Sequence, residues 1–469
     1  MVIYAGAGMA LLIVVLVASL LLFLKPDAYR HRIEQGVSEG LGMEVTFGAP
    51  VRFAWLPGLH VTLEDVRVRN ANLEIASARK ATLGVRLFPL LRGVVSIDTI
   101  ALDDASISIE RDRNGRFNVQ SDRQTEPDNT VLDLSRLSVS NATLRFAGQQ
   151  PWRAFQAAAC SIEVRNLHRS NADQTDFAKG ITFSGELTCG EVKTEAVTLS
   201  ELKVSLNADG VAIKLEPITL HILDADGTGR ITADLSDVVP QWTAQFSLPQ
   251  FPIEAFFRTL SGQQIAAGSM DFSADLSMQG ASVDAMTRTM AGSVSLRGKD
   301  LTLENIDLDE ELSRLQSSRN FNLVDVGAFF LAGPIGLAVT RGYELASLLQ
   351  ASGGTSEIRT LVSDWQIERG IMRAQDVAMA TAHNRIALQG SLDFVDQDFD
   401  DVIVALVDSH GCIKVQQTVK GTFAKPVVEA PSAIESLARP ALQLLKQGQD
   451  LFGGASCEVF YSGSVVAPP

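Results

Sequence analysis

The sequence predicts a mainly β protein with flanking helices, in which antiparallel strands follow one apolar N-terminal helix. The first observation is a period of two. Apolar and polar residues alternate along residues 51–119, which places apolar side chains on one face of a sheet and polar ones on the other. The second is turn chemistry between the runs, as at Asn70-Ala71-Asn72 and Asn114-Gly115. The third is that residues 1–24 contain no charged side chain.

Residues 1–24 are predicted to form a membrane-spanning helix. About 20 apolar residues are enough to cross the core of a bilayer as a helix. The alternative is a cleaved signal peptide, which needs a basic start and a small-residue cleavage site. Neither is present, because Leu24 leads directly into Lys25-Pro26-Asp27. The nearby basic residues all follow this segment, and by the positive-inside rule they would place the large domain in the cytoplasm.

The chain after this segment is predicted to contain three β regions, at residues 25–150, 151–267 and 268–469. Four further segments are predicted to be helical, three from the helical spacing of apolar residues and the third in sequence order from its high apolar content. These segments are 27–41, 251–260, 321–349 and 433–451. Gly333-Pro334 interrupts the third one, which favours a helical hairpin packed on the sheet over a lid or membrane-contacting element.

A weak internal repeat is present in the strands. The apolar pattern of residues Ile97–Ile109 resembles that of Leu134–Phe146, and a looser copy covers Leu361–Met372. Each copy is interpreted as a hairpin of two short strands and a small turn. Repeated units of this kind bury a continuous face when they stack, although chance similarity among hairpins is the alternative.

Composition and motifs argue against nucleic-acid binding and against catalysis. The net charge is -15, with 46% hydrophobic and 20% charged residues, and no basic patch is visible for phosphate. The sequence contains no phosphate-binding loop, nucleophile elbow, zinc-protease motif or dinucleotide fingerprint. The acidic run from Asp393 to Asp401 lacks the glycine and glutamate of a calcium loop, so a solvated turn is predicted. We therefore expect no enzyme activity, metal or cofactor.

The four cysteines are predicted to form two disulfides. Their spacing does not fit a zinc site, and an even count is typical of exported proteins with disulfides. One pair is Cys412 with Cys457, which on the loop-entropy model contributes about 3–4 kcal/mol. The second pair is Cys160 with Cys189. Free buried thiols are the alternative for both pairs.

Several motifs resemble those of the AsmA family. The N-terminal ones are Trp55-Leu-Pro-Gly-Leu59, Leu63-Glu-Asp-Val-Arg-Val68, Pro89-Leu-Leu-Arg-Gly93 and Ile109-Glu-Arg-Asp-Arg-Asn-Gly-Arg-Phe-Asn118. The segments Gly421–Pro426 and Phe460–Ser464 look like the end of the family's sequences. That family is similar in build to bridge-like lipid-transfer proteins. The resemblance implies an elongated, curved antiparallel sheet that forms a β-groove.

The resemblance also implies a location and a role. It places a single-pass anchor in the inner membrane of a Gram-negative bacterium and the bulk of the chain in the periplasm, against the count of basic residues. Long domains translocate largely regardless of flanking charge, so we follow the resemblance. The implied role is phospholipid transport between the inner and outer membranes, or support of outer-membrane assembly. The expected partners are membrane phospholipids and outer-membrane or periplasmic proteins.

An apolar groove would act by shielding acyl chains from water, at about 0.8 kcal/mol for each buried CH₂ group. The sequence leaves open which face of the sheet is the inner one. The rival hypothesis is an assembly or scaffold factor whose apolar face is a closed core, and a hydrolase with a hidden site is a third. Candidate groove positions are Ile107, Ile109, Leu144, Phe146, Leu388 and Phe394.

Overall fold

The computed structural model describes most of the chain between residues 43 and 433 and the final segment. The described residues are 34–35, 38, 43–48, 51–54, 58–70, 73–86, 88–89, 96–110, 117–118, 133–148, 154–169, 180–194, 197–261, 266–304, 307–314, 330, 353–433 and 457–469. The predicted helices at 1–24 and 433–451 lie outside these residues, apart from Ala433, and so do 27–41 and 321–349 except for a few positions. Within the described residues, no helix has the length and apolar character needed to cross a bilayer.

The chain divides into two compact units. The N-terminal unit comprises Met1–Glu195 and Ser200–Val211, and the C-terminal unit comprises Ala196–Leu199 and Ala212–Pro469. The prediction of a mainly β fold is confirmed, because 22 strands account for most of the described residues. The boundaries predicted at 150/151 and 267/268 each fall inside one unit rather than between two.

The described residues of the N-terminal unit form nine strands. Strands β1 and β2 both pair with β3, and β3, β4 and β5 then pair in antiparallel order. Strands β6, β7 and β8 are also antiparallel neighbours. The strands are β1 (Glu44–Phe47), β2 (Arg52–Ala54), β3 (Leu59–Asn70), β4 (Leu73–Val85), β5 (Ile97–Glu110), β6 (Asp133–Ala147), β7 (Ala154–Arg169), β8 (Ile181–Thr194) and β9 (Thr198–Asp209).

The pairing of β5 with β6 is parallel, which corrects the expectation of a wholly antiparallel sheet. A parallel pair needs a connection of a dozen residues or more, and the polar stretch from residue 111 to 132 supplies that length. The first two repeat copies are these two strands, so they are continuous strands and not hairpins. Thr99 pairs with Arg136 and Glu110 with Ala147, an offset of 37 residues throughout. The same offset separates the two copies in the sequence, so like residues lie side by side.

The C-terminal unit is an antiparallel run in chain order from β10 to β20. Strand β13 pairs with β15, and β21 and β22 pair with β20. The third repeat copy spans a true hairpin between β16 and β17. The strands are β10 (Ala212–Ile222), β11 (Ala225–Asp234), β12 (Gln241–Pro252), β13 (Ala266–Ala267), β14 (Ser269–Gln279), β15 (Ala291–Glu304), β16 (Thr355–Glu368), β17 (Ile371–Ala380), β18 (Arg385–Asp393), β19 (Asp398–Val407), β20 (Ile413–Thr422), β21 (Lys425–Val428) and β22 (Ser432–Ala433).

The described residues of this unit form three helices: α1 (Ile253–Ser261), α2 (Val283–Thr289) and α3 (Leu308–Arg314). Helix α1 confirms the helix predicted at 251–260, whereas α2 and α3 were not predicted. Ser282 caps α2 by accepting a hydrogen bond from the amide of Ala285. Asp307 caps α3 in the same way through the amide of Glu310, at 2.9 Å.

One face of the C-terminal sheet is a closed hydrophobic core. Helix α1 inserts Ile253, Phe256 and Phe257 into it, each exposed by 1% or less. These side chains pack with Leu248 and Leu301, which have no exposed surface at all. Complete burial of this kind is typical of a close-packed interior.

The opposite face is covered by the chain's final segment, residues 457–469, which we call the tail. Tyr461 and Val465 pack on a second cluster that includes Ala378 and Ala405. The Tyr461 hydroxyl donates to Asp376 Oδ1 at 2.5 Å, and Ser464 donates from its amide and its hydroxyl to Oδ2. This part of the C-terminal sheet is therefore buried on both faces.

The tail is also held by charge. Arg385 donates from Nη1 to the carbonyl of Val465 at 3.0 Å, and its guanidinium lies 5.3 Å from the centre of the Tyr461 ring. Burial alone raises the pKa of Asp376, but hydrogen bonds from Ser464 and Tyr461 outweigh it and lower that pKa below its usual 3.8. Asp376 is therefore ionised at neutral pH and anchors the tail.

Candidate functional site

The N-terminal unit carries an apolar face that differs from the closed core of the C-terminal unit. Strand pairing sets Ile107 beside Leu144, and Ile109 beside Phe146. The rings of Phe146 and Phe155 stack with their centroids 5.3 Å apart. The four groove positions predicted in this unit therefore form two adjacent rows on one face. All four side chains are half-buried, although they are large and apolar.

Small, buried residues form a line across this face, which we call the crease row. It consists of Ala78, Ala105, Ala142, Cys160 and Cys189, exposed by only 4–7%. They lie side by side on β4 to β8 and form one cluster. Because the larger neighbours are half-buried while these small ones are buried, the crease row is recessed below them.

Two rows of larger side chains flank the crease row. The first contains Leu102, Val139, Ile162 and Leu187, on strands β5 to β8. On β3 this row ends at Leu63, which is 4% exposed and packs with Val45 and Phe47 of β1 in a separate buried cluster. The second contains Ile107, Leu144 and Val192. Several of these side chains pack directly against the crease row. The face is thus a trough with a floor of small residues and apolar walls.

A line of irregular positions, which we call bulges, produces this arrangement. Four of them have a left-handed backbone, with φ between 50° and 52°: Asp65 on β3, Asp104 on β5, Asn141 on β6 and Ala159 on β7. Each one interrupts the two-residue alternation of its strand, and β3 to β6 stay in register because neighbouring strands are interrupted at the same level. The bulge at Asp104 keeps Leu102 and Ala105 on one face, although residues three apart in a regular strand point to opposite faces. The apolar side chains before and after each bulge therefore lie on the same face and form one apolar surface.

Side-chain contacts hold the bulges in place. Asn141 donates from Nδ2 to Asp104 Oδ1 at 2.5 Å, and Arg79 on β4 forms an ion pair with the same carboxylate. These hydrogen bonds, first from Asn141 and then from Arg79, lower the pKa of Asp104. Aspartate and asparagine tolerate the left-handed conformation better than most residues, which explains their use at these positions.

The opposite face of the N-terminal unit is polar. Arg86 forms ion pairs with Asp98 at 2.8 Å and with Asp133 at 2.9 Å. Ser135 donates to Asp98 at 2.6 Å, and this bond, followed by that from Arg86, lowers the pKa of Asp98. Ser140 donates to Asp103 in the same manner. The sheet therefore has one solvated face, and the face with the crease row is its apolar side.

The two groove positions predicted in the C-terminal unit lie elsewhere. Leu388 belongs to the closed core and is 5% exposed, so it does not line an open face. Phe394 packs against that core, and its ring meets the Phe423 ring edge-on at 5.7 Å. It lies at the start of the turn between β18 and β19. That turn covers only residues 394–397, so the acidic run predicted as a turn is in part strand: Asp393 ends β18, and Asp398, Asp400 and Asp401 belong to β19.

The structure joins Cys160 to Cys189 and Cys412 to Cys457, which are the two pairs given by the sequence analysis. The first pair connects directly opposed residues of β7 and β8, with Cα atoms 4.0 Å apart, and lies in the crease row. The second pair fixes the beginning of the tail beside β20, where Cys412 also bridges to Val459. Among the described residues, no group of His, Cys, Asp or Glu side chains could hold a metal ion.

The crease row was missed in the sequence, although a signal for it exists. In β5 the apolar positions run Ile100, Leu102, then Ala105, Ile107. The change from a spacing of two to three marks the bulge at Asp104. That change was interpreted as a hairpin turn, and the alanines were not considered as part of a surface.

Comparison with known proteins places the chain in a family. The model of the AsmA family matches residues 2–171 and, in a second match, residues 128–377. Between them the two matches cover most of the chain, including all strands of the apolar face. No curated protein matches the chain significantly.

Proposed function

The chain belongs to the AsmA family, and on that premise we propose that its N-terminal unit holds phospholipid acyl chains on the apolar face. The chain would be anchored in the inner membrane with its bulk in the periplasm. Its role would be to support phospholipid transport between the inner and outer membranes and so to maintain the outer membrane. This proposal involves no chemical step, metal or cofactor.

The observation that carries the proposal is the contrast in burial between the core of the C-terminal unit and the part of the apolar face on β5 to β8. The core of the C-terminal unit contains large side chains exposed by 1% or less, such as Phe256 and Leu301. On the apolar face of the N-terminal unit, large side chains such as Leu144 and Phe146 are half-buried. Half-buried apolar rows on both sides of a recessed floor provide a surface for a slender apolar ligand.

The dimensions of the face suit an acyl chain. The half-buried row from Leu102 to Leu187 crosses β5 to β8, and neighbouring strands lie about 4.8 Å apart, which gives a length of about 14 Å. One leaflet of a bilayer accounts for about half of a hydrocarbon core of roughly 30 Å. A single acyl chain is therefore about as long as the trough. Each CH₂ group that it buries contributes about 0.8 kcal/mol, without a preferred stopping point.

Site-specific photocrosslinking in the intact chain tests the proposal. A photoreactive amino acid at Leu144 faces the trough, whereas the same group at Arg145 is exposed on the polar face of the same strand. We expect phospholipid adducts from position 144 and few from position 145 in membranes of growing cells. Equal labelling at both positions, or none at position 144, would overturn the proposal.

The second candidate function is an assembly or scaffold factor for outer-membrane proteins. The specific observation in its favour is the C-terminal unit, whose described sheet is covered by α1 on one face and by the tail on the other. Such a unit offers partners a folded surface rather than a lipid site. Protein adducts in place of lipid adducts from position 144 would favour this candidate.

A further inference from the structure

Large apolar side chains are exposed at one corner of the N-terminal unit. Phe88, in the connection from β4 to β5, is 85% exposed. Phe53 near the end of β2 is 37% exposed, and Ile97 at the start of β5 is 36% exposed. Strand pairing sets Val85 against Ile97, and Phe53 against Val61 near the start of β3, so all three lie at the same strand ends. We call this feature the Phe88 corner.

Two described residues before β1, Ser38 and Glu34, lie in order toward this corner. The amide of Val45 donates to Ser38 Oγ at 2.9 Å, and that of Phe47 donates to Glu34 Oε1 at 3.1 Å. Because β1 runs antiparallel to β3, Phe47 is nearer than Val45 to the strand ends that form the corner. Moving backwards along the chain from Ser38 to Glu34 therefore leads toward the Phe88 corner.

Chain length allows the apolar segment of residues 1–24 to begin its span beside this corner. Phe47 pairs with Val66, seven residues from Leu59, which is about 23 Å at 3.3 Å per strand residue. Ten residue steps separate Leu24 from Glu34, and they span from about 15 Å as a helix to about 35 Å when extended. The apolar segment and the corner can thus meet the same bilayer surface.

The charges around the corner are compatible with a lipid surface. Arg86 is paired with Asp98 and Asp133, and the sequence between Arg86 and Ser96 contains no acidic residue. The chain as a whole has a net charge of -15, so general attraction to anionic lipid is not available. Apolar insertion is the contact that remains, and an exposed phenylalanine is suited to the interface of a bilayer.

We propose that the Phe88 corner docks on the surface of the bilayer in which residues 1–24 are anchored, with the Phe88 side chain inserted among the lipids. This contact goes beyond the proposed lipid trough and does not require it. It would fix the tilt of the N-terminal unit on the membrane, which a single point of attachment cannot do.

A fluorescent probe at two positions tests the proposal. Phe88→Cys and Leu73→Cys are each labelled with an environment-sensitive dye in the full chain, reconstituted into vesicles of phosphatidylethanolamine and phosphatidylglycerol. All four native cysteines are disulfide-bonded, so the new thiol is the reactive one. Leu73 is the matched control, because it is apolar, 58% exposed and located at the opposite strand ends.

The two positions are well separated. β3 covers eleven residue steps from Leu59 to Asn70, which is about 36 Å and exceeds the roughly 30 Å hydrocarbon core of a bilayer. With a quencher on the acyl chains, we expect the dye at position 88 to be quenched severalfold more strongly than the dye at position 73. Absence of quenching at position 88 would refute the proposal. Equal quenching at positions 88 and 73 would also refute it, because it would indicate that the sheet lies flat on the bilayer.

The test is independent of the trough. The labelled Phe88→Cys chain is also prepared with Ala142→Phe, which fills the crease row. Quenching that persists in this variant supports docking of the corner whether or not the trough holds lipid. Quenching that disappears with the trough filled would show that the dye had reported lipid held in the trough, and would overturn the docking proposal.

Discussion

Replacing one phenylalanine in each unit distinguishes an open apolar face from a closed core. Phe146→Ala removes a ring from the apolar face of the N-terminal unit, and Phe256→Ala removes one from the core of the C-terminal unit. The two sites are matched in one respect. Phe146 lies 5.3 Å from the Phe155 ring, and Phe256 lies 5.2 Å from the Phe257 ring. Each substitution removes one aromatic pair. The difference between the two losses in the free energy of unfolding therefore reports how completely each ring is buried.

The expected magnitudes follow from burial. Phe256 is 1% exposed, and truncation of such a ring leaves a cavity and lowers the free energy of unfolding by about 3–5 kcal/mol. Phe146 is half-buried, so its transfer contribution is smaller and no closed cavity forms. For Phe146→Ala we expect a loss of about 1–2 kcal/mol. The predicted difference between the two losses is therefore about 1–4 kcal/mol.

The assay must report on each unit separately, because a chain with two compact units need not unfold in one step. Hydrogen exchange followed by mass spectrometry of peptides from each unit gives the local free energy of opening. The intact chain in lipid discs is compared with each variant. A loss at Phe146 that equals the loss at Phe256 would refute the reasoning, because it would mean that the face with the crease row is enclosed.

Three further predictions concern the trough and the tail (residues 457–469). Ala142→Phe should reduce lipid crosslinking on the apolar face severalfold, while exchange in the C-terminal unit is unchanged; undiminished crosslinking would argue against the trough. Replacing Cys412 and Cys457 together by serine should weaken protection of the tail by about 4 kcal/mol on the loop-entropy model, as measured by hydrogen exchange. The pKa of Asp376 is lowered in the folded protein, so its contribution is fully present above its usual 3.8 and is lost as pH falls through the lower folded value. Protection of the tail amides from hydrogen exchange should accordingly be retained at neutral pH and decline below about pH 4. Asp376→Asn should abolish that pH dependence.

Sequence reasoning was adequate where a local pattern decides the structure. The alternation in β5 and β6 places Ile107, Ile109, Leu144 and Phe146 on one face, and the pairing registers agree. Helix α1 follows from an apolar stripe, and its residues occupy the core. In both cases the spacing of apolar residues along the chain determines which side chains lie on the apolar face.

Local patterns were insufficient where the structure depends on pairing with a strand that is distant in the sequence. An aspartate or asparagine with a left-handed backbone occurs both in a turn and in a bulge, so Asp104 and Asn141 were interpreted as turn residues. Only the neighbouring strand distinguishes the two outcomes, and the partner of β5 is 37 residues away. The caps Ser282 and Asp307 were available as helix signals, but strand-like alternation on either side obscured them.

The parallel pair of like strands has a consequence for how such a chain can lengthen. Because Ile97–Ile109 and Leu134–Phe146 pair at the same offset that separates them in the sequence, their bulges and apolar positions coincide. A duplicated segment of this length would add strands without changing the register of those already present. Each new strand would extend the crease row by about 4.8 Å. Gene duplication would then lengthen the sheet by a fixed distance for each added strand, while the width and lining of the trough stay the same.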